Sequence, residues 1–376
     1  MVTASLVDVI KKLQTVNRLQ AKTLKVGFVP LVDCAPLVMA HELGFFAKYG
    51  LSVELSRELG WASIRDRVIY GELDAAQAVA GMVFAAAWGL GSIPCECLTA
   101  LVLNSQGNAI TLSNRLWTLG VRDVASLRAL IQHRREEKPL VFGVVFPYSS
   151  HHFLLRQWLK SGGIDPDRDV QIVVVPPPQM FSNLKAGNLD GYCVGEPWNT
   201  VAVQARVGWC PVTSSGLAPL HPEKVLMVRA DFAATRHDEH VALVSALLEA
   251  CAWCQKAENR REMIRVLARP AYVNAPVRAI EGSFEARFDC GHGQYSDEGA
   301  FHLFFGGELN APTADKAAWI LHQMRVSKLL EPLAWSTAPQ ETNLFRCDIY
   351  DAAWRLFSKK RILEPVDHEK QILHSY

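Results

Sequence analysis

The chain has no apolar run near the ~18 residues that a membrane-spanning helix needs. It also lacks an excess of charge: 39 basic and 38 acidic residues leave a formal net charge of +1. A bulk electrostatic drive toward nucleic acid or an anionic membrane is thereby excluded, and any taste for anions must come from a local site. No low-complexity tract interrupts the 376 residues, 49% of which are hydrophobic and 20% charged. That composition is globular, and the length suits two domains with buried cores.

A glycine-rich phosphate loop is missing, as are a Ser-His-Asp set and an HExxH-like pair. Nine scattered cysteines, an odd number, fit a chain that keeps its thiols reduced better than one that pairs them. Cys251-Ala-Trp-Cys254 has the spacing of a zinc half-site, but no second pair follows, and it sits in an apolar helical run. No metal, cofactor or catalytic residue is expected. The start, "MVTASLVDVIKKLQTVNRLQAK", places Leu6, Val9, Ile10 and Leu13 at helical spacing, with Asp8, Lys11 and Lys12 between them. This reads as an amphipathic helix over 1–22 and not as an export signal, so a cytoplasmic location is expected.

What is present is a rhythm of short β-branched runs and helical patterns. "LKVGFVPL" reads as a strand, "APLVMAHELGFFAKYG" as one helix ending at Gly50, and "LSVELSRE", "LDAAQAV" and "CECLTALVLN" as further strands. The rhythm restarts at "PLVFGVVF" and continues through "DVQIVVVPPPQM", "LDGYCVGEP" and "VLMVRADF" before a mainly helical remainder. The pattern predicts an α/β chain of two lobes, each a mostly parallel sheet flanked by helices, with a cleft between. Residues 23–112 and 223–376 are assigned to the first lobe and 113–222 to the second.

Ligands of open α/β sheets sit at the carboxyl ends of the strands. The loops to search are therefore Gly60-Trp61, Asn104 to Asn108, Pro147 to His152, Gly195 to Trp198, and His221 to Lys224. In "FPYSSHHFLL", Ser149 or Ser150 can cap a helix whose first turn carries His151 and His152. Free N–H groups and the dipole favour an anion there. Adjacent helical residues diverge by about 100°, so the pair is a poor metal site. His151 stands as a ligand candidate beside the plainer reading of a satisfied histidine, and His152 keeps the plainer one. Lys224 in "LHPEKVLMVR" is either a solvated strand-end charge or an ammonium aimed into the cleft. Trp61 and Trp198 read as core packing or pocket lining. Asn108 reads as turn former or amide ligand, and Gly195 allows close backbone approach. Glu196 would be awkward beside an anion without a cation to pair it.

Several motifs add up. "GFFAKYGLSVEL", "WASIRDRVIYGELDAAQAVAGM", "VLNSQGNAITLS", "WLKSGGIDPDRDVQIVVVPPPQM", "DGYCVGEPWN" and "HPEKVLMVRADF" resemble the nitrate- and bicarbonate-binding proteins of cyanobacterial-type ABC transporters. The likeness runs from about residue 24 to beyond 350. It implies a periplasmic-binding-protein-like fold of type II that closes on an oxyanion. It also implies a nitrate or nitrite site of tryptophan, glutamine, histidine, glycine backbone and lysine. These fall on Trp61, Asn108, His151, Gly195 and Lys224, with Asn108 in place of the glutamine, which bears on the choice between nitrate and nitrite. The bicarbonate branch uses acidic and threonine contacts with calcium, and the histidine and lysine here argue against it. Among such proteins, a member without an export signal resembles the cytoplasmic nitrate/nitrite sensors of the NasS type. Ligand-free, these hold a NasT-like, ANTAR-type RNA-binding antiterminator. The alternatives are an exported transporter component and an enzyme on the same fold.

Overall fold

In the computed structural model, residues 22–134, 138–297, 299–329 and 344–363 are described. The expected N-terminal helix lies outside them. The chain builds β1 (Leu24–Phe28), β2 (Val53–Arg57), β3 (Ala75–Val79) and β4 (Cys97–Gln106) into one sheet. It then builds a second from β5 (Asn108–Ser113), β6 (Leu140–Val144), β7 (Val170–Val174), β8 (Gly191–Gly195) and β9 (Gly208–Thr213). The chain returns with β10 (Pro222–Arg229), adds the hairpin β11 (Arg287–Gly291) and β12 (Gln294–Asp297), and closes the first sheet's edge with β13 (His302–Leu303). The strand orders are β13-β4-β10-β3-β1-β2 and β7-β6-β8-β5-β9.

Both sheets are mixed, where the βαβ rhythm predicts mostly parallel ones. β1 pairs in parallel with β2 and β3, whereas β10 runs antiparallel to both β3 and β4. In the second sheet β6 is parallel to β7 and β8, and β5 is antiparallel to β8 and β9. The antiparallel members are those that carry the chain between lobes. β5 had no strand signal because "NAITLS" follows β4 with only Gly107 between them. The sheets therefore change at Gly107, upstream of the predicted boundary at 112. Gln106 and Gly107 take φ of 63° and 92° to make this crossing, and a Cβ on Gly107 would lie 2.2 Å from His302 Nδ1. Only glycine fits there.

Local chemistry explains the other departures. The helix predicted to run to Gly50 stops at Glu42, because Gly44 takes φ of 73°, and a short turn Phe45–Lys48 follows. The prolines of "VPPPQM" end β7 and also open the helix Pro177–Ala186, whose first turn needs no N–H from proline. Helix Ala314–Val326 begins after Thr313, and Cys347–Leu363 packs along His237–Gln255. No described helix is long and apolar enough to cross a membrane.

Strands β3 and β4 are buried along their whole length and β10 nearly so, as central strands covered on both faces must be. Apolar packing continues from this sheet to Phe146, Tyr192 and Val194 of the second lobe, while Ile110, Phe142, Leu154 and Trp209 form a separate core inside it. The lobes thus touch along an ordered seam. Val32 N donates to the Glu196 carbonyl at 2.8 Å across it. At the same seam Gly81 begins the helix Gly81–Ala87, and a Cβ there would sit 2.2 Å from the Tyr148 carbonyl oxygen.

That contact makes a prediction against local propensity, since alanine is better than glycine in a helix by roughly 0.5–1 kcal/mol. Gly81→Ala should leave each lobe folded yet hold the lobes apart, giving a larger radius of gyration by small-angle X-ray scattering. An unchanged radius would show that the seam yields to a methyl group.

Candidate functional site

Strand direction places the site. Because β10 is antiparallel, its first residues lie beside the carboxyl ends of its neighbours: Lys224 pairs with Val79 at the end of β3 and with Asn104 near the end of β4. Lys224 is therefore inside a strand and not, as predicted, in a loop before one. The β10–β4 register slips on both sides of Lys224. Such an irregularity re-aims side chains, and here the adjacent Glu223 and Lys224 are both fully buried and meet one another.

Lys224 is the only buried lysine among the described residues. Its Nζ lies 2.8 Å from Asp33 Oδ2, 2.5 Å from Glu223 Oε1 and 5.3 Å from the centre of the Trp61 ring. Asp33 follows β1 and is oriented by Gln77 of β3, whose Nε2 donates to Asp33 Oδ1 at 2.6 Å. Glu223 collects donors from both lobes. Asn108 Nδ2 donates to Glu223 Oε2 at 2.7 Å, Ser150 Oγ donates to the same oxygen, and His221 Nε2 lies 3.3 Å from it. His151 Nε2 stands 3.5 Å from Glu223 Oε1, outside hydrogen-bond geometry.

The predicted residues converge on this point. Trp61 opens the helix Trp61–Ile69 on the first lobe. His151 lies in the first turn of Ser150–Ser161, whose N-cap Ser149 accepts from His152 N at 3.3 Å. Asn108 opens β5 opposite Gly195, the last residue of β8. A Cβ on Gly195 would lie 3.3 Å from both Asn108 Oδ1 and Asp33 Oδ2, so the glycine lets the strand approach the cluster. His152 is turned elsewhere, with Nδ1 2.7 Å from the Pro147 carbonyl oxygen. Glu196 also stays out of the cluster: it accepts from Ser283 Oγ at 2.9 Å and from Thr200 N at 3.3 Å.

Asp33, Gln77 and Glu223 were not singled out from the sequence, and Ser150 was read only as a helix cap. Asp33 did leave a signal, a lone acid in "FVPLVDCAPLV" just after a strand. Glu223 was hidden by Lys224, since neighbours on a regular strand face opposite ways.

The electrostatics are those of a dry, crowded charge cluster. Burial pushes the Asp33 carboxyl up, against the pull of Lys224. Burial would raise Glu223 as well, but the Lys224 ammonium outweighs it and holds Glu223 well below the usual carboxylate range. Burial would likewise lower Lys224, yet Asp33 and Glu223 keep it charged and raise it. Burial takes His151 down to about 3, so its ring is neutral. Several polar atoms here find no hydrogen-bond partner: Trp61 Nε1, both ring nitrogens of His151 and Asn108 Oδ1. Buried orphans of this kind cost about 1–3 kcal/mol each, and several of them gather at this seam. No described group of three or more His, Cys, Asp and Glu is placed to hold a metal ion.

Residues 17–268 match the model of the NMT1-like family. The chain belongs to that family. Within it, the chain is 33% identical to the nitrate/nitrite binding protein NrtA of Nostoc sp., over 87% of its own length and 74% of that protein's. It is 42% identical to the nitrate import ATP-binding protein NrtC of Synechocystis sp., over 82% of its length but 46% of the relative's. The chain thus spans about half the length of NrtC and of the bicarbonate transport ATP-binding protein CmpC of Synechococcus elongatus. In structure it matches the crystal structure of the periplasmic nitrate-binding protein NrtA from Synechocystis with a TM-score of 0.83 and 29% identity, covering 92% of both chains. The fold is therefore the two-lobed periplasmic-binding-protein architecture, and the relatives named are an anion-binding protein and components of anion import.

Lys224 is the hub, so its loss should be felt in stability. Removing one partner of a buried ion pair costs on the order of 3–5 kcal/mol, because the other charge stays buried. Lys224→Met should lose stability of that order at pH 7 in urea unfolding. Asp33 and Glu223, without the ammonium, would have folded-state pKa values above the unfolded ones, so the folded protein binds more protons. The variant should then regain stability on going from pH 7 to pH 5. A variant as stable as the parent at both pH values would show that Lys224 carries no such load.

Proposed function

We propose that this chain binds nitrate or nitrite between its two lobes. The observation that carries the reading is the set of unpartnered buried polar atoms on Trp61, Asn108 and His151, gathered around the ammonium of Lys224. A planar oxyanion accepts hydrogen bonds in its own plane. The indole N–H, an imidazole N–H and an ammonium offer that pattern, with the Gly195 backbone free of a side chain. Likeness to NrtA of Nostoc and of Synechocystis supports the choice of anion. Two or three charge-assisted hydrogen bonds at about 1.5–3 kcal/mol each supply the differential affinity needed to draw an open form to the closed one.

Two cellular settings fit such a protein. Likeness to NrtA, NrtC and CmpC supports a component of anion import. The second setting is a cytoplasmic nitrate/nitrite sensor that holds an ANTAR-type antiterminator until the anion arrives. It is favoured by the nine cysteines, all of them free thiols, seven of them buried. Thiols in that number suit a reducing compartment. Under linkage, a partner that prefers the open form loses as much affinity as the anion gains.

Isothermal titration calorimetry should show saturable heat with nitrate or nitrite. Trp61→Phe, which keeps the ring but removes the indole N–H, and His151→Ala should each weaken binding at least tenfold, the worth of about one such hydrogen bond. No heat with either anion would discard the reading. A pull-down of an ANTAR antiterminator that is lost on adding nitrate would decide for the sensor, and no capture in the absence of nitrate would decide for import.

A further inference from the structure

The Glu223 carboxylate occupies the place where an oxyanion would find its donors. It is fully buried, sits on Lys224 Nζ at 2.5 Å, and takes hydrogen bonds from Asn108 Nδ2 and Ser150 Oγ, with His221 Nε2 at 3.3 Å and His151 Nε2 at 3.5 Å. Glu223 and Lys224 belong to β10 of the first lobe, whereas Asn108, Ser150 and His151 belong to the second. The carboxylate therefore bridges the lobes in the way a bound anion would.

Holding Lys224 in place does not require this arrangement. Asp33, itself fixed by Gln77, already pairs with the ammonium at 2.8 Å, and the backbone of Lys224 is clamped between β3 and β4. The donors that reach Glu223 from the second lobe add nothing to the position of Lys224. Their effect is to close the seam. Two carboxylates already share the one ammonium. A further anion cannot simply be added to such a buried set, because uncompensated charge in the interior is costly.

From this geometry we infer that Glu223 is an internal ligand: a tethered carboxylate that clasps the two lobes and that nitrate or nitrite must displace in order to bind. The inference rests on the anion-binding reading and assigns Glu223 a role in setting affinity and lobe closure. The tether gives the carboxylate a high effective concentration at the site, so free anion has to compete with it. Weak anions at low concentration are thereby refused, and the threshold for response is set by the length and charge of one side chain.

Glu223→Gln keeps the size of the side chain, removes its charge and turns one of its two acceptor oxygens into a donor amide. By calorimetry it should bind nitrate at least tenfold tighter than the parent. Without anion it should show a larger radius of gyration by small-angle scattering, returning to the parent value with nitrate. Glu223→Asp, one methylene short of the lobe-two donors but still charged, should bind tighter than the parent too, and it decides the matter if the glutamine variant does not fold. A parent that binds nitrate while these variants bind it equally or more weakly would overturn the internal ligand and leave the anion site standing. Equal radii for parent and variants without anion would likewise overturn the clasp. If neither parent nor variants bind nitrate or nitrite, the anion-binding reading falls and the internal ligand with it.

Discussion

The ammonium of Lys224 between Asp33 and Glu223 is the constraint around which this molecule is arranged. A buried lysine is tolerated only with its charge compensated, and compensation here comes from a loop after β1 and from the residue next to it on β10. Once those two carboxylates are buried they need partners of their own. Asp33 takes Gln77 from β3, and Glu223 takes Asn108 and Ser150 from the other lobe. The demand for satisfaction passes outward from one side chain until it has tied the first sheet to the second. This is why the seam between the lobes is polar at its centre, although the packing around it is apolar.

Antiparallel β10 is what makes the cluster possible. A wholly parallel first sheet would bring only strand ends and their following loops to the cleft. Threading β10 backward between β3 and β4 brings a strand beginning there as well, with a register slip that turns two consecutive residues inward. The crossing at Gln106-Gly107 does the same for Asn108 on the second lobe, with left-handed backbone that only glycine takes cheaply at its tightest point. The functional geometry thus lives where the regular βαβ pattern is broken, as is common when local rules give way at a site.

This also accounts for what the sequence could and could not disclose. Hydrophobic periodicity located β1 to β4, β6 to β8 and the chief helices, because each covers a face of a core. The caps and breakers were legible too, from Ser149 before its helix to the prolines after β7. Strand direction was not, since "PEKVLMVR" has the same apolar content whichever way it runs, and so the sheets were expected to be mostly parallel. β5 was hidden because a single glycine separates it from β4. Trp61, Asn108, His151, Gly195 and Lys224 could be named from residue type, loop position and resemblance to known motifs, and they do come together. Glu223 could not be, because its role depends on which charges face one another across the seam.

The charge balance at that seam bears on how such a protein discriminates. A site that merely offered donors would take any small oxyanion and would close more readily the more negative its guest. With Asp33 and Glu223 already on Lys224, each additional negative charge is opposed in a medium where opposition is strong. A singly charged, weakly hydrated anion that takes over the donors of one carboxylate leaves the buried charge unchanged if that carboxylate moves out to water. A doubly charged anion of the same size would raise the buried charge by one and would also give up more hydration on entry. If the proposed anion site is accepted, selection against sulfate-like guests follows from the two carboxylates on Lys224 before any shape of the pocket is considered. On the same proposal, the closeness of Asn108 to both Glu223 and Gly195 leaves the choice between nitrate and nitrite to hydrogen-bond geometry.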